Sequence, residues 1–118
     1  MQATGPESFL EDLAEYAREV ARQGPEPKWF RAVLIREPGN PYDSNAIAVY
    51  ADRVGQVGHL SRDDALEYQQ MFEALSARGC SVATCPAFLI GGTKQKPSFG
   101  VMLCLSAPER VIAELNAS

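Results

Sequence analysis

The segment 36–46 is the strongest constraint on the fold, because turn-forming residues there separate two apolar runs. Pro38 and Pro41 each fix their own φ and push the preceding residue out of the helical region. Gly39, between them, is free to adopt positive φ. Neither a helix nor a strand can run through this segment. It therefore predicts a tight loop between two strands that presents Tyr42 and Asp43 in a defined, exposed geometry.

Apolar and β-branched runs on both sides of this loop indicate an antiparallel sheet. A tight turn at 52–55 closes a hairpin after the loop, and a flexible basic tip at 91–97 separates the last two strands. Strands are predicted at 29–35, 46–50, 56–60, 81–90 and 98–105.

Capping patterns and apolar spacing predict three helices. Ser61 with Asp64 forms a capping box, and Gly79 terminates the apolar stripe that follows. A short C-terminal helix needs packing against the remainder of the domain to persist. The predicted helices span about 9–22, 61–78 and 107–115.

Strands joined by short turns, with a helix between the third and fourth, predict a mainly β fold with two or three helices (α+β). A small OB-like or SH3-like antiparallel β-barrel, or a strongly curled sheet, fits this order of elements. The 118 residues suffice for one buried core but not for two. We therefore expect a single domain over 1–118, with the barrel core at about 28–105.

The charge distribution argues against a strong, nonspecific DNA binder but leaves one basic region. The net charge is −4, and affinity for phosphates comes from cations that displace counterions. Residues 28–62 carry five basic against three acidic side chains, whereas the regions before and after are acidic. The region around the loop is thus the only third of the sequence that is locally basic.

The sequence offers little for catalysis, metal binding or membrane insertion. Cys80, Cys85 and Cys104 are an odd number without zinc-ligand spacing, and His59 is the single histidine, so buried reduced thiols are expected rather than a metal or cofactor site. No nucleophile with its base and no phosphate-binding glycine loop is evident, so an enzyme is not expected. No apolar run approaches the roughly 20 residues of a membrane span, which predicts an intracellular, cytoplasmic protein.

The run REPGNPYDSNAIAVY, followed by GQVGHLSRDDA, resembles the signature of the HIRAN domain. The resemblance spans about 33–65, with weaker similarity at 99–101. This family includes domains at the front of repair-helicase-like ATPases and stand-alone bacterial proteins. The resemblance implies an OB-like barrel that holds the 3′-hydroxyl end of single-stranded DNA. It further implies a supporting role in DNA repair or processing beside a separate helicase or nuclease.

Carried over by position, the resemblance implies six nucleic-acid-binding residues. Asp43 would accept a hydrogen bond from the terminal hydroxyl, Tyr42 would stack on a base, and Arg62 would contact a phosphate. The remaining three are polar neighbours and a second aromatic that packs on a base, namely Asn40, His59 and Phe99.

Each candidate also has a structural interpretation. Asp43 can be used by local amides in an Asx-turn, Tyr42 and Phe99 can cover the core, and His59 can be a structural histidine. For the whole domain, the alternative function is a protein-interaction module without nucleic-acid binding. The acidic net charge favours that alternative, and so does the lack of a clear equivalent to the basic-aromatic pair that the resembled family carries on its first strand.

Overall fold

The structure, a computed structural model, describes residues 1–3, 29–52, 54–91 and 99–117. The helix predicted at 9–22 and most of the basic tip at 91–97 lie outside the described residues. No described helix is both long and apolar enough to cross a membrane. In chain order the elements are β1 (Gln2–Ala3), β2 (Trp29–Arg36), β3 (Ile47–Ala51), β4 (Gly55–His59), α1 (Arg62–Glu67), α2 (Gln69–Ser76), β5 (Val82–Gly91), β6 (Phe99–Leu103) and α3 (Pro108–Ala117).

The six strands form one antiparallel sheet in the order β1-β6-β5-β2-β3-β4. Its two edge strands, β1 and β4, approach each other to within 8 Å between Cα atoms, so the sheet curls on itself. This confirms the predicted α+β class with an OB-like, curled antiparallel sheet. Five of these strands coincide with the predicted ones to within two residues at most ends.

Alternation along β2 separates a buried face from an outer face. Phe30, Ala32 and Leu34 point into the core, where they meet the inward residues of β3, β5 and β6. Helix α2 covers this inner face with Met71 and Phe72, both about 1% exposed. The core therefore lies between the concave face of the sheet and the helix that follows β4.

The helix after β4 departs from the prediction. Ser61 caps it as expected, its Oγ accepting from the Asp64 amide at 3.1 Å. However, the predicted single helix is divided at Tyr68, which ends α1 and begins α2. The hydroxyl of the buried Tyr68 donates a hydrogen bond to the Ser106 carbonyl at 2.7 Å, a long-range contact that sequence periodicity does not reveal. Gly79, with φ of 80°, ends the helical region as predicted.

An ion pair joins α2 to the strand that enters the loop. Arg36 Nη1 lies 2.6 Å from Glu73 Oε1, and the guanidinium group is 5.5 Å from the centroid of the Phe72 ring. Arg36 is the last residue of β2, so this contact fixes the start of the loop against the helix. The sheet and the helix thus position the loop from both sides.

Cys85 on β5 gives a pH-dependent test of this core. Burial raises the pKa of its thiol to about 11 from an ordinary 9.0, and the neighbouring Cys104 adds to the increase. The unfolded thiol ionises first, so the free energy of unfolding is expected to fall as the pH rises from 9 towards 11. Denaturant titrations across this range measure the decrease, which Cys85→Ala should reduce.

Burial also raises the pKa of the Tyr68 phenol above its ordinary 10.0, so a smaller alkaline loss should persist in Cys85→Ala. An identical pH dependence in both proteins would contradict the buried, neutral state assigned to Cys85.

Candidate nucleic-acid interface

The loop between β2 and β3 is closed by its own backbone. The Glu37 amide donates to the Ala46 carbonyl at 2.9 Å, and the Asn40 amide donates to the Glu37 carbonyl at 3.0 Å. The Ala46 amide in turn donates to the Asp43 carbonyl at 3.1 Å. Two consecutive turns, at 37–40 and 43–46, therefore connect the strand ends, as the proline and glycine spacing predicts.

The Asn40 side chain joins these two turns. Its Oδ1 accepts from the amides of Tyr42 and Asp43 at 2.9 and 3.2 Å, and its Nδ2 donates to Glu37 Oε1 at 3.2 Å. A side-chain amide can serve as donor and acceptor at once, which an ionised carboxylate cannot do. Asn40 therefore acts within the protein, and fixes the backbone that carries Tyr42 and Asp43.

Tyr42 is the most exposed large aromatic residue among the described ones, at 89%. Its backbone is held on both sides, since its amide donates to Asn40 and its carbonyl accepts from Arg62 Nη2 at 3.4 Å. A ring on a fixed backbone with both faces in water is available for stacking. The alternative in which Tyr42 covers the core is therefore wrong.

Asp43 is divided between a local and an outward role. Its Oδ1 accepts from the Asn45 amide at 2.9 Å. This is the Asx-turn given above as the structural interpretation of Asp43. Its Oδ2 lies 3.8 Å from Arg62 Nε, and the side chain is 22% exposed. One carboxylate oxygen thus supports the loop, and the other faces a cation at a distance too long for a short hydrogen bond.

Arg62 supplies an exposed cation beside this carboxylate. It is the first residue of α1, and its side chain is 77% exposed. The first turn of the same helix also carries Asp63 and Asp64, so the helix end by itself is acidic. Positive charge at this position therefore comes from the Arg62 side chain rather than from the helix terminus.

His59 is held by Glu37, a residue that the sequence analysis did not select. His59 Nε2 lies 2.7 Å from Glu37 Oε1 and 3.5 Å from Gln56 Nε2. The same Glu37 oxygen accepts from Asn40, so it connects the loop to the end of β4. The available signal was an acidic residue three positions before a turn asparagine, but only the strand register brings His59 close to Glu37.

These side chains border two surface depressions. The first, called the loop groove here, has a volume of about 230 Å³. The second, on the helix side, has a volume of about 410 Å³ and includes the exposed Leu66. Tyr42, Asp43 and Arg62 line both, so they form the ridge between them. The loop groove is lined by Asn40, Tyr42, Asp43, Ala46, His59, Leu60 and Arg62.

Five of the six predicted residues therefore meet around one loop, and Phe99 does not join them. Phe99 begins β6 and pairs with Gly91, the last residue of β5. The loop lies near the other end of β5, where Val82 pairs with Ile35. The side chain of Phe99 lies outside the described residues, so its role on a base stays a prediction.

The described residues contain no group of three or more potential ligands that could hold a metal ion. The three cysteines are free thiols, and Cys80 and Cys104 are exposed whereas Cys85 is buried. The expected buried thiols are therefore found at only one of the three positions.

Comparison with protein families matches residues 31–88 to the HIRAN domain. The matched range contains the loop, both depressions and five of the six candidate residues, and it ends before Phe99. Comparisons with curated proteins and with solved structures gave no significant match.

The loop geometry predicts a large effect of Asn40→Ala on stability. The substitution leaves two loop amides without their acceptor, at a cost of about 1–2 kcal/mol in the free energy of unfolding. Ser44→Ala in the same loop changes an exposed residue and should alter this free energy by less than about 0.5 kcal/mol. Urea denaturation measures both. Equal effects of the two substitutions would show that Asn40 does not hold the loop.

Proposed function

Since the chain belongs to the HIRAN domain family through residues 31–88, we propose that it binds single-stranded DNA at a free 3′-hydroxyl end. The family's domain is a non-catalytic binding module associated with DNA, including single strands. The observation that carries the proposal is the ridge beside the loop groove. It combines the exposed ring of Tyr42, the Asp43 carboxylate with one oxygen outside the Asx-turn, and the cation of Arg62.

The free oxygen of Asp43 suits a terminal hydroxyl. An ionised carboxylate accepts a charge-assisted hydrogen bond from a hydroxyl donor. The same oxygen repels a terminal phosphate, and a continuing strand offers no hydroxyl at that position. The Asx-turn fixes the direction of the carboxylate before the ligand arrives, which lowers the ordering cost of binding.

Tyr42 and Arg62 recognise what every strand end shares. Stacking on the Tyr42 ring contributes roughly 1–3 kcal/mol per base and tolerates any sequence. Arg62 is loosely paired with Asp43, at 3.8 Å, so its guanidinium can turn to the last phosphate when the hydroxyl binds the carboxylate. Asn40 and His59 border the groove as supporting polar groups.

End binding of this kind supports DNA repair or processing by a separate helicase or nuclease, because a held 3′ end positions the strand without changing it. The proposed cellular role rests on the family and on the groove chemistry together.

A 3′-hydroxyl oligonucleotide should bind at least about tenfold more tightly than its 3′-phosphorylated counterpart and a circular single strand, a difference of about 1.4 kcal/mol. Asp43→Asn keeps the acceptor for the Asn45 amide but removes the charge, so it should reduce the discrimination against phosphate without unfolding the loop. Asp43→Ala should abolish the discrimination. Anisotropy titrations of the three ligands measure it, and equal affinities for the wild-type protein would refute end recognition.

A salt series tests the role of Arg62 and separates this proposal from the protein-interaction alternative, which the exposed Leu66 beside the ridge favours. Affinity for the 3′-hydroxyl strand should fall with salt at a shallow slope, and Arg62→Gln should lower that slope by about one unit. Arg110→Gln removes an equally exposed charge on α3 and should leave it unchanged. No binding at low salt would favour the protein-interaction function.

A further inference from the structure

The outer face of the sheet carries an exposed tryptophan that the loop groove does not use. Trp29, the single tryptophan of the chain, is the first residue of β2 and is 49% exposed. Its ring rests on Phe88 of β5, its direct cross-strand partner, with centroids 5.0 Å apart and planes tilted by 58°. Tryptophan is usually largely buried in folded proteins, so a ring with half its surface accessible is a notable feature.

Arg31 places a cation beside this aromatic pair. It lies two residues further along β2, so its side chain is on the same face as Trp29. Arg31 is exposed and takes part in none of the ion pairs found among the described residues. Asp52 lies nearby, but its contact is a backbone one, its amide donating to the Arg31 carbonyl at 3.0 Å. We call Trp29, Arg31 and Phe88 the aromatic platform.

No acidic side chain interrupts the outer face along the two central strands. Arg31 pairs with Pro86 on β5. Both residues line a cleft of about 480 Å³. Along β2 and β5, one cation and two aromatic rings without a carboxylate between them complement a base and its phosphate. The outward positions of β2 and β5 are Trp29, Arg31, Val33, Ile35, Val82, Thr84, Pro86, Phe88 and Ile90.

One residue that lines the loop groove, His59, lies on the same face as the platform. Ile35 pairs with Ala48, and Ala48 pairs with His59, so His59 projects to the same side of the sheet as Trp29. From Ile35 to Trp29 the strand covers about 20 Å at its usual rise per residue. A single strand that leaves the loop groove past His59 can therefore follow β2 to the platform along one face of the sheet.

We propose that the aromatic platform is a second contact site for single-stranded DNA, which stacks a base on Trp29 and holds a phosphate with Arg31. The site receives nucleotides several positions before the 3′ end, so the inference rests on the proposed function. It adds a length requirement that end recognition alone does not have. An apolar protein segment would not use the guanidinium group of Arg31, which forms no ion pair among the described residues, and for this reason nucleic acid is the occupant that the face favours.

The single tryptophan makes the test direct, because emission of the full chain reports on Trp29 alone. Two thymidine oligonucleotides with 3′-hydroxyl ends are compared, of about four and about twelve nucleotides, within the range of known site sizes. The longer strand should quench the emission and bind at least about fivefold more tightly, the lower limit for one stacked base. The shorter strand should bind without quenching.

Variants separate the platform from the groove. Arg31→Gln and Trp29→Ala should reduce the affinity of the longer strand to that of the shorter one, and Trp29→Phe should retain most of it because a ring remains. Tyr42→Ala should weaken both strands. Arg110→Gln, the matched loss of one exposed arginine, should change neither.

Two results would overturn the inference in distinguishable ways. If both strands bind equally and saturation leaves the emission unchanged, the platform makes no contact, whereas end binding stands. If neither strand binds, both the inference and the proposed function fail.

Discussion

The hydrogen bonds of the Asn40 side chain are the constraint on which the site depends. One amide group accepts from two successive backbone amides and donates to Glu37, so the turn that presents Tyr42 and the turn that begins at Glu37 are held together. Without that acceptor, the Tyr42 and Asp43 amides would need water, and the loop would gain alternative conformations. The exposed ring is therefore positioned by a side chain that does not need to touch the ligand.

Contacts from the neighbouring elements support this loop at its two ends. Arg36 joins the end of β2 to Glu73 on α2, and Gln69 of the same helix donates to the Asn45 carbonyl at 2.8 Å. His59 reaches the loop through Glu37 from the end of β4. The loop thus belongs to the packed part of the molecule, which lowers the entropy that a ligand has to remove on binding.

Local patterns in the sequence were sufficient for the strands, the capped helix and the loop, because proline, glycine and alternation act over a few residues. No local pattern marked the break at Tyr68, whose hydroxyl contacts the carbonyl of Ser106, a residue distant in sequence. Glu37 was missed for the same reason, because its partner His59 comes into range only through the pairing of β3 with β4. The six candidate residues came from family resemblance, and register shows why Phe99 stands apart from the other five.

Under the proposed function, the charges at the site account for how an acidic protein would favour one kind of strand end. Asp43 offsets the charge of Arg62, and Glu37 adds a second carboxylate beside His59, so the unliganded groove presents little net attraction for an arbitrary phosphate. On this proposal, a strand interior would have to displace Arg62 from Asp43 and would offer no donor for the carboxylate in return. A terminal hydroxyl would supply that donor and release Arg62 for the adjacent phosphate. Weak general attraction would then favour selectivity, because only a ligand that carries both a hydroxyl donor and a phosphate would replace the Arg62–Asp43 pair at low cost.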